Sequence, residues 1–211
     1  MLKNIMVEHK ESLSFEERDI LREVGNICVG NSTGILSQLL GGVVQVNPPG
    51  LEILTIDQLP NYIKDKGTLV YGVNAHFSSQ LQGTIFLLFP EKHSLKIIEK
   101  FLLYINTSGV EPIRYGISII KEVGGIAIFS YINTLSSLIK KLILTSVPNF
   151  LSGTSDELIT MILREYEHWG NICVVHTSFK EMGMGIDGDY YLIMDKASTD
   201  LILEYMQNPS L

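Results

Sequence analysis

The chain has 211 residues, enough for one large domain or for one domain built from two halves. Hydrophobic residues make up 45% and charged residues 18%, a balance that supplies a sizeable core and excludes a disordered chain. The formal net charge of -7 excludes the electrostatics of a nucleic-acid binder, which must neutralise phosphates with lysine and arginine.

Residues 1–13 read as a loose polar tail. They contain no apolar run long enough for a signal peptide, so the expected compartment is the cytoplasm. Ser14-Phe15-Glu16-Glu17 reads as a capping box, in which the Ser14 hydroxyl accepts from the backbone at Glu17 and the Glu17 side chain reaches back. A helix should follow to about Leu40 and stop at Gly41-Gly42. No charged residue lies between Glu23 and Glu52, which raises a transmembrane reading. Asn26, Asn31, Ser32, Thr33, Ser37, Gln38 and five glycines argue against it, because so many amides and hydroxyls are costly in lipid. The expected element is a core helix with no membrane insertion.

Val43–Val46 is a short β-like run, ended by Asn47-Pro48-Pro49-Gly50, where proline forbids helix and sets an extended connection. Residues 51–66 read as a strand and a short helix. Gly67–Ser79 and Gly83–Phe89 read as a hairpin joined near Ser79-Gln80. Pro90 opens a helix to about Ile105, with Leu95, Ile98, Phe101 and Leu102 at helical spacing.

The pattern then restarts. Pro112 opens a second long helix through Ile119, Val123, Ile126 and Leu135 to about Leu142. Extended residues 143–147 and Pro148 follow, then a charged helical segment from Asp156 to His168. Strands at Asn171–Phe179 and Tyr190–Met194 flank a glycine-rich loop, Gly183–Asp189, and a last helix runs from about Ser198 to Met206. Glu23-Val24-Gly25-Asn26-Ile27 matches Glu122-Val123-Gly124-Gly125-Ile126 at an offset of 99, and Pro49 matches Pro148 at the same offset. Gly83–Leu88 resembles Gly188–Ile193 at an offset of 105, which implies a six-residue loop insertion in the second half. The predicted fold is α/β (α+β) and internally duplicated, with pseudo-two-fold symmetry. Antiparallel hairpins should pack with two long motif-bearing helices and shorter ones. The expected single domain covers residues 14–211, with repeats at about 14–106 and 112–207.

On the first long helix, Asp19, Glu23 and Asn26 follow steps of four and three and share one face. Ile20, Val24 and Ile27, continued by Asn31 and Ile35, make the adjacent face, expected to be buried. A carboxylate and a carboxamide one turn apart can divide labour: the first pairs with a partner's cation, the second holds a water by donor and acceptor. Spacing alone leaves two readings open, a working pair and a merely solvated face. Gly25 between them costs a helix interior roughly 1 kcal/mol relative to alanine, which close helix packing explains without any function.

The pattern Asp19-x3-Glu23-x2-Asn26-x22-Pro49 resembles the signature of the CheC/CheX/FliY phosphatases of bacterial chemotaxis. The surrounding Glu23–Thr33 segment and the later Gly83–Pro90 strand are also similar to that family, and the resemblance extends over about residues 14 to 206. It implies dephosphorylation of phospho-CheY, whose phosphoryl group is an aspartyl phosphate and which brings its own Mg²⁺. By carry-over, Asn26 would orient the attacking water and Glu23 would pair with the partner's active-site lysine, with Asp19 helping to dock. Phosphoryl transfer is largely positioning plus charge stabilisation, so a phosphatase of this kind needs no cofactor or metal of its own.

The second copy departs from the pattern. Ser118-x3-Glu122-x2-Gly125-x22-Pro148 keeps glutamate and proline but puts Gly125 where the amide should be. Asn133 is no substitute, lying roughly 12 Å further along the helix. The second site is therefore expected to be catalytically dead, with Glu122 left as a docking residue. The histidines His9, His76, His93, His168 and His176 show no metal-ligand spacing. Cys28 and Cys173 are expected to be buried thiols. The competing expectation is a non-catalytic adaptor of the same fold that binds CheD or sits in the flagellar switch. A FliY-type switch component usually carries a further C-terminal module, which this sequence does not display. Both a monomer and a homodimer are compatible with the duplication.

Overall fold

A computed structural model describes residues 13–63, 66–103 and 112–208. The expected tail over residues 1–12 and the end of the third helix at Ile105 lie outside the described residues. Helix α1 spans Phe15–Leu40 and opens on the capping box: Ser14 N–H donates to Glu17 Oε2 at 2.6 Å, and Glu17 N–H to Ser14 Oγ at 3.2 Å. It ends where Gly41 adopts a left-handed conformation and its N–H returns to the Ser37 carbonyl. Strands β1 (Val44–Val46) and β2 (Gly50–Thr55) follow, then a 3₁₀ turn, Ile56–Gln58, and the short helix α2 (Leu59–Tyr62). The hairpin β3 (Leu69–Ser79) and β4 (Gly83–Pro90) leads to α3 (Glu91–Leu102).

The series then repeats as α4 (Pro112–Ile139), β5 (Ile143–Thr145), β6 (Asn149–Thr154), α5 (Ser155–Leu163), a 3₁₀ segment, Arg164–Trp169, β7 (Asn171–Glu181), β8 (Ile186–Asp195) and α6 (Lys196–Gln207). All described strand pairings are antiparallel and form one sheet in the order β1-β7-β8-β4-β3-β5, with β2 also on β7 and β6 also on β3. Exchanging each strand for its counterpart reverses this order and leaves it unchanged, so a pseudo-two-fold axis passes between β4 and β8. The halves interlock. The short strands of each half pair with the long hairpin of the other half.

Alternation along β4 distributes the core. Ile85, Leu87 and Phe89 face the cluster under α1, α3, α4 and α6, while Phe86 and Leu88 face a smaller cluster under α2 and α5. The sheet is thus covered on both faces, which explains why β4 reads as an unbroken apolar run. Helix α4 is apolar and long enough to cross a membrane, with a mean hydropathy of 1.3 over an 18-residue window within Arg114–Ile139. In this fold it is a core helix: Ile120, Ala127, Ile128 and Leu135 are fully buried. The two long helices are tied by Ser32, whose hydroxyl donates to the Ala127 carbonyl at 2.7 Å and accepts from Tyr190 at 2.6 Å.

Several sequence expectations are corrected. Residues 149–154, for which the sequence carries no expectation, form strand β6, which has no clear alternation and is specified by its ladder to β3. Strand β8 begins at Ile186 rather than Tyr190, so the glycine-rich loop shrinks to residues 182–185. The six-residue insertion is split. Phe77 and Phe179 are equivalent at an offset of 102, each filling the space that a side chain on Gly83 or Gly188 would take, so part of the extra length lies before β7 and part in its hairpin. On α3 the buried residues are His93, Ser94 and Ile97, whereas Leu95 is 46% exposed.

Candidate functional site

Helix α1 buries Leu21, Val24, Gly25, Cys28, Val29, Ser32, Thr33, Leu36 and Leu40. This corrects the expected buried face: Ile27 is 36% exposed and Asn31 is exposed, its amide donating to Thr134 on α4 at 3.2 Å. Asp19, Glu23 and Asn26 are all exposed and lie together, as the helical steps predict. They line an open groove of about 500 Å³ with Arg22, Pro48 and Pro49. Pro48 is exposed at the rim, while Pro49 is buried against the helix.

The register of the proline has a physical cause. A β-carbon built on Gly25 would lie 3.1 Å from Val175 Cγ1 and 3.6 Å from Pro49 Cγ. Gly25 thus lets α1 settle onto β7 and onto the turn before β2, which brings Pro48 and Pro49 beside Asn26. The helix is further anchored by Arg18, whose guanidinium donates to the Leu51 carbonyl at 3.3 Å. Arg22 lines the groove beside Asp19, Glu23 and Asn26. Its charge is felt at Tyr62, whose hydroxyl is pushed up to about 12, chiefly by burial and then by Glu52, with Arg22 opposing.

The second groove occupies the symmetry-related position. Ser118, Lys121, Glu122 and Gly125 line it with Val147 and Pro148. A β-carbon at Gly125 would stand 3.2 Å from Pro148 Cγ, tighter than ordinary contact, so Pro148 packs closely on the position that holds an amide in the first copy. Ile126 and Phe129 complete the lining, each 38% exposed, and Val147 is 74% exposed. Phe129 stands where α1 has Gly30, and Val147 where the first copy has Pro48. One groove is polar with an amide at its centre; the other is apolar around a glutamate. Sequence reasoning missed Arg22, Lys121 and Phe129. The spacing rule that grouped Asp19 and Asn26 also includes Arg22, three residues after the first and four before the second.

The remaining candidates are structural. Cys28 and Cys173 are buried, and desolvation pushes both thiols up to about 12. His93 is buried and its Nδ1 accepts from the Asp187 backbone at 2.9 Å; desolvation lowers its pKa. His176 pairs with Asp189 at 2.7 Å and stacks on Tyr191. Among the described residues, no group of three or more His, Cys, Asp or Glu is arranged to hold a metal ion.

Comparison with known proteins agrees with this frame. Residues 16–53, which carry α1 and both prolines, match the CheC-like family. The CheY-P phosphatase CheC of Bacillus subtilis (strain 168) is 27% identical over 164 residues, covering 76% of this chain and 78% of that protein. The structure of Thermotoga maritima FliY superposes with a TM-score of 0.72 at 20% identity, over 92% of this chain and 98% of that one. CheX from the Borrelia burgdorferi CheX-CheY-BeF3-Mg complex superposes with a TM-score of 0.54 at 15% identity, over 82% and 98% of the two chains. The fold is therefore that of the CheC/CheX/FliY proteins. Within that group, the sequence similarity is to CheC-like proteins, over residues 16–53 for the family pattern and over 76% of the chain for the Bacillus subtilis protein.

Proposed function

We propose that this protein is a phosphatase for a CheY-type response regulator, accelerating hydrolysis of the regulator's aspartyl phosphate in the cytoplasm. The observation that carries the reading is the first groove. Asp19, Glu23 and Asn26 stand exposed on one face of a helix that is rigidly seated on the sheet, with an open space beside them. The regulator supplies the Mg²⁺ and the lysine that stabilise charge on the phosphoryl group. This chain supplies geometry. Asn26 holds a water in line with the phosphorus through its amide, Glu23 pairs with the regulator's lysine and fixes the approach, and Asp19 extends the docking face. Positioning of this kind accelerates a reaction without a nucleophile or general base of the enzyme's own.

The test adds the protein to a phosphorylated CheY-type regulator from the same genome and follows loss of the phosphoryl group. Asn26→Ala should lower the rate roughly a hundredfold, as expected when a single preorganised hydrogen-bonding group is removed. Glu23→Ala should weaken both docking and rate. No acceleration by the wild type, or full activity in Asn26→Ala, overturns the reading.

The second groove supports a further role in docking. It keeps Glu122 but has no amide, and it exposes Ile126, Phe129 and Val147. That surface suits binding rather than water positioning, and it keeps open an adaptor role towards CheD or the flagellar switch. Tight CheD binding without phosphatase activity would favour the adaptor over the enzyme.

A further inference from the structure

The groove on α1 contains a cation that the water-positioning scheme leaves unused. Arg22 is exposed and lines the groove together with Asp19, Glu23 and Asn26. Among the described residues it makes no hydrogen bond or ion pair, in contrast to Arg18, which is committed to the Leu51 carbonyl. It is also the only cation among the described residues that line this groove.

The charge balance gives this arginine a task. An aspartyl phosphate, like other phosphorylated side chains, carries a charge of about -2 near neutral pH. Asp19 and Glu23 would meet it with two carboxylates. Glu23 is matched by the regulator's lysine in the reading above, but Asp19 has no such match. Arg22 lines the groove at one edge of this helix face, one turn before Asn26, with a guanidinium that can reach in the direction Asn26 faces. Its planar fork fits phosphoryl oxygens through two parallel hydrogen bonds. The second copy keeps a cation at the equivalent position, Lys121, but it has lost both the amide and the fork.

We propose that Arg22 is a specificity-determining residue that engages the phosphoryl oxygens of the docked regulator and makes this protein prefer the phosphorylated form. The proposal rests on the phosphatase reading. It assigns to Arg22 recognition of the phosphoryl group, whereas Asn26 places the water.

The experiment compares wild type, Arg22→Gln, Arg22→Lys and Asn26→Ala. Each is assayed for dephosphorylation and for binding to the regulator, both unloaded and loaded with beryllium fluoride and Mg²⁺. Arg22→Gln should raise KM roughly tenfold or more, the range for loss of a charge-assisted hydrogen bond, with a smaller change in kcat. It should reduce affinity for the loaded regulator and leave affinity for the unloaded one unchanged. It should also flatten the salt dependence of KM. Arg22→Lys should fall between the two. Thermal unfolding should not change, because the side chain is exposed. Wild-type kinetics in Arg22→Gln beside an inactive Asn26→Ala overturns the proposal and leaves the phosphatase reading standing. Equal weakening towards both forms of the regulator also overturns it, since Arg22 would then meet a carboxylate of the docking surface. A wild type that neither accelerates hydrolysis nor binds the loaded regulator overturns both.

Discussion

A β-carbon at Gly124 would come within 2.3 Å of Val73 Cγ2, whereas the equivalent approach at Gly25 is 3.1 Å from Val175 Cγ1. The two glycines are repeat partners, and so are the two valines, yet the second helix sits closer to its strand. Valine is stiff at χ1 and Val73 is fully buried, so it has little room to retreat. An alanine in a helix interior gains about 1 kcal/mol over glycine. At position 25 that gain and a small shift of Val175 nearly cancel, so Gly25→Ala should leave stability within about 1 kcal/mol of wild type. At position 124 the overlap dominates, and Gly124→Ala should cost about 1–3 kcal/mol. Denaturant unfolding measures both. Shortening the valine provides an internal check: in a Val73→Ala background the Gly124→Ala cost should largely vanish, which a double-mutant cycle reads directly. The candidate site depends on the same contact in its first copy, because Gly25 brings Pro49 against the helix beside Asn26.

At the scale of elements, the two long helices end differently. Helix α1 closes on Gly41 at φ 69°, and the equivalent residue after α4 is Lys140 at φ 54°. The left-handed region costs a residue with a β-carbon roughly 1 kcal/mol or more. Lys140→Gly should therefore stabilise the protein by about 1 kcal/mol and raise Tm by roughly 2–4 °C, readable by calorimetry. An unchanged or lower Tm would mean that the lysine side chain contributes more at this end than the backbone loses. The contrast also shows what a sequence displays. Ser14, Glu17 and Gly41 act on their own neighbours, and the ends of α1 were legible from them. So was the hairpin of β3 and β4, whose apolar runs are bounded by turn residues. Strand β6 was not legible, because Asn149–Thr154 is defined by residues 69–74 far back in the chain. The start of β8 was hidden by Gly188, which sits in the strand so that Phe179 can cover it. The buried face of α1 was misjudged at Ile27 and Asn31 because α4 crosses α1 there and covers only part of that side. The polar trio on α1 was grouped correctly by helical spacing. Arg22 lies outside the family signature, which specifies only the carboxylates, the amide and the proline.

At the scale of the whole molecule, the repeat does not divide the protein into two folding units. Strand β2 of the first half has its ladder on β7 of the second, and β6 has its ladder on β3 of the first. The long helices follow the same exchange, with α1 meeting Val175 on β7 and α4 meeting Val73 on β3. A first half expressed alone as residues 14–106 would keep Asp19, Glu23, Asn26 and Pro49 but lose the strand on which their helix rests. The loss includes one whole side of the core and the ladder that holds the turn containing Pro48 and Pro49. Such a fragment should not fold as a monomer. The pseudo-two-fold symmetry leaves it one folded alternative, a homodimer in which β4 pairs with its own copy in place of β8 and each α1 rests on the other chain's β3. Light scattering with circular dichroism distinguishes the outcomes: an unfolded monomer or a folded dimer is expected, and a folded monomer with a cooperative melt would show that the exchange of strands is dispensable. The same logic predicts that mixing fragments 14–106 and 112–207 restores the native sheet, and with it any regulator dephosphorylation that depends on Asn26. Activity of the first fragment as a monomer would be incompatible with a groove whose helix and turn are both held by β7 of the other half.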